Sequence, residues 1–266
     1  MKIAVLVKQV PASDNVKMNE ETGTMIRDGV ESELNPLDLY AVEEAIRIKE
    51  KDGDGVEISV ISMGPPSAVE AIKSALALGC DNGFLLSDKK FAGSDTWATA
   101  YALSQGIKKT VGDFDFVFCG ERATDGETGQ VGPEVGTFLG LPILTYVSKV
   151  EEIKDGKITV HRAIEGGHEV VESSIPALVS VIKEINEPRM PNLKGKIRAK
   201  KIEIPVLGAD DIEADPGMIG LRQSPTRVVK AFRPQVGRSG EIVRAEDGLE
   251  EAVDGLVNFL AEKSLV

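Results

Sequence analysis

Residues 114–139 read FDFVFCGERATDGETGQVGPEVGTFL, and the pattern within this stretch decides the fold. An apolar run of strand length, 116–119, breaks into a loop of small and hydroxyl residues, which then enters a run with helical spacing, 131–139. A helix that starts directly after a strand exposes free backbone N–H groups and the positive end of its dipole at one place. Such a place binds anions, phosphate above all.

This Gly-rich loop, residues 120–132, contains three glycines that the pattern predicts to have positive φ and to let a ligand approach the backbone: Gly126, Gly129 and Gly132. Thr128 and Gln130 offer hydrogen bonds to phosphate oxygens or to a base. A glycine-rich connection that caps a helix and binds nothing has the same local spacing. The loop alone leaves both interpretations open.

The composition describes an ordinary soluble globular chain with a strong acidic bias. Of 266 residues, 42% are hydrophobic and 28% charged, and the formal net charge is −12. That charge repels a phosphate backbone and anionic lipid, so we expect no nucleic-acid partner and no general attraction to membranes. An anionic ligand must therefore be held locally.

The two cysteines and the N-terminus indicate a cytoplasmic protein. Cys80 and Cys119 each end an apolar run and lack metal-ligand spacing, which is typical of buried thiols in a reducing compartment. The apolar run 3–7 is interrupted at Lys8 and Gln9, too early for a signal peptide or a membrane span. We predict no metal site and no membrane insertion.

Short apolar runs alternate with longer runs of helical spacing through the first two-thirds of the chain. The pattern predicts strands at 3–7, 56–62, 84–86, 116–119 and 177–182. It predicts helices at 37–51, 68–78, 96–110 and 131–139. This β-α-β-α order indicates a parallel sheet with helices on both faces.

Three additions to this pattern are also predicted. Residues 16–29 are predicted to form a small hairpin over the carboxyl end of the sheet. Residues 157–162 and 168–172, joined by a loop that contains Gly166 and Gly167, are predicted to form a second hairpin at an antiparallel edge. After residue 186, prolines interrupt roughly 60 residues with little periodicity, which cannot easily build a core. We therefore predict an α/β domain over 1–185 and an arm over 186–266, ending in helical spacing at 248–265, that packs on a partner subunit.

Six motifs in order resemble the β subunit of electron-transfer flavoproteins. They are VKQVP at 7–11, NPLD at 35–38, SMGP at 62–65, DGETGQVGP at 125–133, RAIEGG at 162–167 and NEPR at 186–189. The resemblance covers nearly the whole chain. It implies a Rossmann-like, nucleotide-α-hydrolase-like doubly wound sheet in one half of a heterodimer, whose α subunit holds an FAD.

The same resemblance bears on the cofactor of this subunit. One branch of the family binds structural AMP, and the bifurcating branch binds a second FAD. The string DGETGQVGP is similar to the FAD-binding form, as is the segment 24–35, whereas the NQTGQ-like string of the AMP branch is absent. The resemblance therefore implies FAD, with AMP as the alternative, and NAD(H) as the exchanging substrate.

The implied function is flavin-based electron bifurcation in anaerobic metabolism. NADH is oxidised at the β-bound FAD; one electron passes through the α subunit to a flavoprotein dehydrogenase of acyl-CoA or lactate type, and the other to ferredoxin or flavodoxin. The chain is expected to act as an oxidoreductase only within its complex. The alternatives are a non-bifurcating carrier with AMP, and a universal-stress-type nucleotide-binding regulator.

The loops that leave the carboxyl ends of the predicted strands converge on one crevice, where a doubly wound sheet binds its ligand. They are residues 8–11, 63–66, 87–95 and 120–132. With the resemblance, the pyrophosphate is assigned to Thr128, Gly129, Gln130, Val131 and Gly132, and the adenosine end to Val7, Asn35, Asp38 and Met63. Asp95 and Thr96 are assigned to the ribityl chain or isoalloxazine, and Lys8, Arg122, Asp125 and Gly126 complete the set.

Three of these residues have other possible roles. Asn35 and Asp95 are also candidates to cap helices. Arg122, like Thr124, departs from the residues that relatives often carry; it is a candidate to tune the flavin, to bind a second anion, or to remain solvated at the rim.

No acid–base catalyst is assigned. His161 and His168 lie on the predicted hairpin without a neighbouring nucleophile, and a flavin protein leaves the redox chemistry to its cofactor. The segment 186–201 resembles the recognition loop of the family, with Leu193 at the position of its anchoring leucine. A basic strand with solvated lysines is the alternative.

Overall fold

The computed structural model describes residues 1–12, 17–18, 25–26, 31–53, 55–229, 242 and 248–266, with backbone only at 17–18 and 25–26. The chain divides into two units, Met1–Val229 and Lys230–Val266. The first unit holds the α/β sheet. The second contributes one described helix.

A nine-stranded sheet organises the first unit. The strands of the chain are β1 (Lys2–Leu6), β2 (Gln9–Pro11), β3 (Lys17–Met18), β4 (Met25–Ile26), β5 (Ser32–Leu34), β6 (Glu57–Met63), β7 (Asn82–Leu86), β8 (Phe116–Gly120), β9 (Ile143–Lys154), β10 (Lys157–Ile164), β11 (Gly167–Ser174), β12 (Ala177–Val181) and β13 (Val206–Leu207). The sheet order is β11-β10-β9-β12-β8-β1-β6-β7-β13. Pairing is parallel from β9 through β13 and antiparallel between β9, β10 and β11.

Six α-helices accompany the described strands. They are α1 (Pro36–Asp52), α2 (Val69–Leu78), α3 (Thr96–Thr110), α4 (Val131–Leu139), α5 (Leu193–Lys201) and α6 (Leu249–Glu262). Alternate residues of β1 enter two separate cores: Ile3 and Val5 pack with α1 and α2, whereas Ala4 and Leu6 pack with α3 and α4. The predicted doubly wound α/β fold is therefore confirmed, with α3 and α4 at their predicted bounds.

Both predicted hairpins correspond to antiparallel pairs. β10 pairs with β11 from Lys157↔Ser174 to Ile164↔Gly167, so Gly167 belongs to a strand rather than to the turn. β3 pairs with β4, while the turn predicted between them lies outside the described residues. In addition, β2 pairs with β5 and leads the chain into α1.

The sequence pattern predicted no strand over the residues of β9. Its residues alternate irregularly between buried and exposed. Its pairing with β10 and with β12 contains register shifts, and Tyr146, in this part of the strand, has a φ of 55°. β9 begins parallel to β12 and continues antiparallel to β10. It is therefore the element that joins the parallel sheet to its antiparallel edge.

The segment after residue 186 departs from its predictions. The basic stretch is helix α5 instead of a loop or a strand, since Asn192 caps it by accepting a hydrogen bond from Gly195 N at 2.8 Å and no proline follows until 205. α5 packs on α2, where Arg198 Nη2 donates to Leu76 O at 2.5 Å and to Cys80 O at 2.7 Å. Leu76 lies in the last turn of α2, and Cys80 follows its C-cap, Gly79. Arg198 therefore satisfies carbonyl groups at the C-terminal end of α2.

Residues 202–229 belong to the first unit and pack against the core of its sheet. Ile219 and Ile212 are buried in the core beside α3, and Leu207 of β13 packs against it. The expectation that this stretch leaves its apolar residues for a partner is wrong for Leu207 and Ile219; Leu221 is 57% exposed, and Phe232 lies outside the described residues. Packing of the arm on another subunit remains a prediction.

Candidate nucleotide-binding site

The strand order reverses beside β1. From β1 the chain proceeds through β6 and β7 on one side and then through β8 and β12 on the other. The carboxyl ends of β1 and β8 are adjacent because the two strands pair in parallel. This is the switch point at which doubly wound sheets bind ligands, and the Gly-rich loop leaves it directly.

The N-terminus of α4 opens onto this point. Gln130 occupies the N-cap position, and no side chain in the described part of the chain caps the helix there. Gly129 has a φ of 63° and Glu127 a φ of 51°, so the loop turns through left-handed backbone just before the helix. Free N–H groups and the helix dipole thus coincide at the carboxyl edge of the sheet.

The three glycines predicted to have positive φ have different roles in the structure. Only Gly129 has positive φ, so the prediction of positive φ is wrong for Gly126 and Gly132. A Cβ on Gly132 would stand 2.7 Å from Cys119 Sγ, so this glycine lets α4 pack closely on β8. A Cβ on Gly126 would meet no described atom within 4 Å, and the backbone there is open to a ligand.

Asn35 lies at the start of α1 and is fully buried. Its side chain makes no capping hydrogen bond, so the capping alternative is wrong. Instead Asn35 Nδ2 donates to Arg122 O at 2.9 Å, and Asn35 Oδ1 accepts from Thr124 N at 3.2 Å. The amide therefore holds the main chain of the Gly-rich loop.

Asp38, one turn further along α1, is also buried. Its Oδ2 accepts from Lys8 N at 2.8 Å, and a Cβ on Gly120 would stand 2.6 Å from Oδ1. Burial raises the pKa of Asp38 to about 7, against the opposing effect of hydrogen bonds from Asn35, Lys8 and Gly120. Gly120, the last residue of β8, is a residue that sequence reasoning missed; its position directly after the predicted strand 116–119 was the available signal.

An ion pair connects the loop after β1 with the Gly-rich loop. Lys8 Nζ lies 2.6 Å from Asp125 Oδ1, and the Asp125 side chain is only 10% exposed. Arg122, in contrast, is paired with Glu121 at 3.2 Å and its side chain is 44% exposed. The structure thus brings Lys8 and Asp125 together and leaves the Arg122 side chain at the surface of the loop.

Asp95 and Thr96 lie at the N-terminus of α3. Asp95 Oδ1 accepts from Ala98 N at 3.1 Å, so the capping role is confirmed, while its Oδ2 accepts from Thr226 N and Oγ1 at 2.8 and 2.7 Å. Burial acts to raise the pKa of Asp95, but hydrogen bonds from Ala98 and Thr226 outweigh it and hold the pKa below its usual range. Thr96 Oγ1 donates to Glu134 Oε1 at 3.2 Å, which links α3 to α4.

The remaining predicted contacts lie on the same edge. Val7 is buried and its N donates to Ile61 O at 3.0 Å, Met63 ends β6, and Thr128 has an exposed side chain on the loop. Sequence reasoning also missed Ser62, whose buried Oγ has no hydrogen-bond partner among the described residues. Ser62 is fully buried, so its hydroxyl lies beneath the crevice and does not face an incoming ligand.

The residues fit a nucleotide. The donor set at the switch point consists of backbone N–H groups at an open helix N-terminus, a hydroxyl at Thr128 and an open approach at Gly126, which suits phosphate. Two of the three carboxylates of the loop are paired, Asp125 with Lys8 and Glu121 with Arg122, which offsets their charge toward an anion.

A separate surface surrounds Leu193. We name residues 190–201 the docking segment. Met190 is 88% and Leu193 73% exposed, and α5 adds five cationic side chains, Lys194, Lys196, Arg198, Lys200 and Lys201, without an acidic residue. Arg189 anchors the start of the segment on α1, with Nε 2.8 Å from Glu43 Oε2 and Nη1 2.5 Å from Glu50 Oε1.

Comparisons with known proteins agree with this geometry. Residues 22–212 match the family model of the electron transfer flavoprotein domain. The chain is 47% identical over 267 residues to the electron transfer flavoprotein subunit beta of Thermoanaerobacterium thermosaccharolyticum, and 42% identical over 272 residues to that of Megasphaera elsdenii. It is 42% identical over 266 residues to subunit CarD of the Caffeyl-CoA reductase-Etf complex of Acetobacterium woodii, and all three alignments cover 100% of both chains.

The doubly wound sheet and the loop at its switch point define an α/β protein of Rossmann-like fold with a candidate nucleotide site. The chain belongs to the electron transfer flavoprotein family, among the β subunits. Members of this family associate with flavin or AMP, and the β subunits pair with α subunits. Within the described part of the chain, no helix combines the length and apolar character needed to cross a membrane.

Proposed function

We propose that this chain is the β subunit of a bifurcating electron-transfer flavoprotein and that it binds FAD at the Gly-rich loop. The observation that carries the proposal is the loop itself. It places an uncapped helix N-terminus, a left-handed turn at Gly129 and the string DGETGQVGP at the switch point of the sheet. This combination suits a pyrophosphate, and the string resembles the FAD-binding form of the family.

The residues of the chain bind and orient the cofactor. Backbone N–H groups of residues 128–132 and the Thr128 hydroxyl hold the pyrophosphate, and the backbones at Val7 and Met63 line the adenosine end. Thr96, at the N-terminus of α3, is the nearer candidate for the ribityl chain, because the Asp95 carboxylate already accepts three hydrogen bonds from its own chain. Bound FAD supplies the redox chemistry, exchanging a hydride with NAD(H) and releasing single electrons.

The partners are proposed from the docking segment and from the relatives. Exposed Met190 and Leu193, ringed by lysines, suit a pocket with an acidic rim on a flavoprotein dehydrogenase. A relative named as a subunit of a Caffeyl-CoA reductase-Etf complex supports an acyl-CoA-type dehydrogenase over a lactate type. Ferredoxin or flavodoxin is the second acceptor, and the complex is cytoplasmic.

The second candidate is a non-bifurcating carrier whose β subunit holds AMP. The same loop also suits a single phosphate, so only the identity of the bound nucleotide distinguishes the two candidate functions. Membership of the electron transfer flavoprotein family sets aside the universal-stress-type regulator.

The test is the nucleotide content of the heterodimer, purified with its α subunit and then denatured. Two FAD per heterodimer support the proposal, and one FAD with one AMP supports the second candidate. The position of the nucleotide is tested by Gly129→Val, which places a side chain where the phosphates approach. We expect this variant to keep one FAD of two, and Thr128→Val to weaken FAD binding by roughly ten- to a hundredfold, as expected for one lost hydrogen bond to a charged oxygen.

The matched control is Gly140→Val. Gly140 ends α4 with a φ of 67°, close to the 63° of Gly129, and no described atom lies within 4 Å of its Cβ position. Both substitutions therefore impose similar left-handed strain, roughly 1–2 kcal/mol. A Cβ on Gly129 also stands 3.3 Å from Glu121 O, and only Gly129 lies on the loop. If the Gly129→Val heterodimer retains two FAD molecules, the loop does not bind the flavin.

A further inference from the structure

We propose that Asn35 and Asp38 are positioning residues, which join the loops after β1 and β8 through their main chains and so preset the Gly-rich loop for its ligand. This inference rests on the proposed nucleotide site. Asn35 and Asp38 then support the site through the main chain and do not contact the cofactor directly. We name these two residues the α1 clasp.

Asn35 reaches the loop after β8. It uses both ends of its amide on that main chain, accepting from Thr124 N and donating to Arg122 O. These two groups are almost 90 residues away in sequence, with separations of 89 and 87. The bonds fix the direction of the chain just before Asp125 and Gly126.

The first turn of α1 holds the loop after β1 as well. Asp38 Oδ2 accepts from Lys8 N at 2.8 Å, and Asn35 N donates to Lys8 O at 2.8 Å. Lys8 in turn reaches Asp125 with its side chain. Three links therefore close a ring through α1, the loop after β1 and the Gly-rich loop.

The clasp side chains are removed from the crevice. Asn35 exposes 0% and Asp38 6% of its surface, so neither offers a polar atom to an incoming nucleotide. At Gly120 a Cβ would stand 2.6 Å from Asp38 Oδ1 and 2.7 Å from Leu37 O, so β8 and α1 approach closely at this point. Such fixed geometry lowers the ordering cost of ligand binding, because the N–H groups are already aligned.

The experiment measures FAD affinity of the heterodimer by equilibrium ultrafiltration. Asn35→Asp keeps the size of the side chain but sets an acceptor against Arg122 O, and we expect it to weaken FAD binding at the β site by about tenfold or more, as supporting contacts of a site commonly do. Asp38→Leu removes the acceptor for Lys8 N and has the same expected effect. Asp38→Asn retains an acceptor, and we expect affinity within about threefold of the parent.

Asn186→Asp is the control for general stability. Asn186 Nδ2 donates to Tyr40 O and to Glu44 Oε2, each at 3.0 Å, so the substitution sets an acceptor against a main-chain carbonyl and a carboxylate of α1, away from the loop. We expect it to lower the unfolding temperature as much as Asn35→Asp does while FAD affinity is unchanged. A purely structural role is excluded when Asp38→Leu loses FAD affinity although it unfolds at no lower temperature than Asn186→Asp, while Asp38→Asn keeps the affinity of the parent.

The outcomes separate the two proposals. If Asn35→Asp and Asp38→Leu bind FAD like the parent while Gly129→Val loses it, the α1 clasp is overturned and the nucleotide site stands. If Asn186→Asp loses FAD to the same extent, the effect is general destabilisation and the clasp is again overturned. If Asn35→Asp yields no heterodimer, the Asp38→Asn and Asp38→Leu pair decides. A parent heterodimer without nucleotide at the β site defeats the proposed function itself.

Discussion

At the scale of single residues, Asp38 makes stability depend on pH. Burial raises its pKa in the native state to about 7, from 3.8 for an exposed carboxyl. Between these values the native state holds a proton that the unfolded chain has lost, so the free energy of unfolding falls as pH rises, by up to about 1.4 kcal/mol per pH unit. We expect Asp38→Asn to gain stability relative to the parent from pH 5 to pH 7.

Thermal unfolding of parent and variant heterodimers at pH 5, 6, 7 and 8 measures this difference. The gap between the two unfolding temperatures should move in favour of Asp38→Asn up to about pH 7 and then level off. Comparing the two proteins at each pH removes the contribution of every other titrating group. Parallel profiles would show that the Asp38 carboxyl does not bind a proton in this range.

Sequence patterns find the polar residues of the site but not their partners. Asn35 and Asp95 both stand at the start of a helix, and either can cap it. Asp95 caps α3, whereas Asn35 turns to the loop after β8. The choice depends on a contact between residues 87 apart, and local propensity contains no information about it. The positive φ expected at Gly126 and Gly132 was wrong; at Gly132 the glycine is required by close packing on Cys119, a contact that the local pattern does not contain.

At the scale of elements, the docking segment separates stability from recognition. Leu193 is largely exposed, so we expect Leu193→Ala to leave the unfolding temperature unchanged and to slow electron transfer to the dehydrogenase at limiting partner concentration. Loss of a buried interface anchor typically costs on the order of 1–4 kcal/mol. An unchanged rate would remove Leu193 from the interface.

Arg198→Ala is the contrasting variant. Arg198 satisfies two carbonyls at the end of α2, so its removal should lower the unfolding temperature by loosening α5 from α2. Steady-state rates against dehydrogenase concentration, measured beside thermal unfolding for both variants, distinguish the two effects.

Elements with a strong hydrophobic period were predicted well, and elements without one were missed. The five predicted strands and four predicted helices of the α/β unit bury continuous apolar runs or one apolar face, which gives each of them a clear hydrophobic period. β9 carries a mixed burial pattern, and α5 has a single buried residue, Ala199, so neither has a clear period. Both are stabilised by tertiary contacts that only the folded chain supplies.

At the scale of the whole molecule, the second unit has apolar side chains along its one described helix. The described helix of the second unit, α6, has apolar side chains that are each at least half exposed: Leu249, Val253, Leu256, Val257 and Phe259. Leu249, Val253 and Leu256 recur at helical spacing and form one face. An amphipathic helix with such a face requires a partner surface, and β subunits of this family pair with α subunits.

We therefore expect the chain expressed alone to self-associate and to become monodisperse on addition of its α subunit, as followed by sedimentation velocity. Replacing Val253 and Leu256 by glutamine should make the isolated chain more soluble and weaken the heterodimer, because burying this face then removes less apolar surface from water. Glu251→Gln with Asn258→Ala, on the polar face, is the matched control and should change neither property. A parent chain that is a monodisperse monomer and unfolds cooperatively without the α subunit would show that the arm needs no partner.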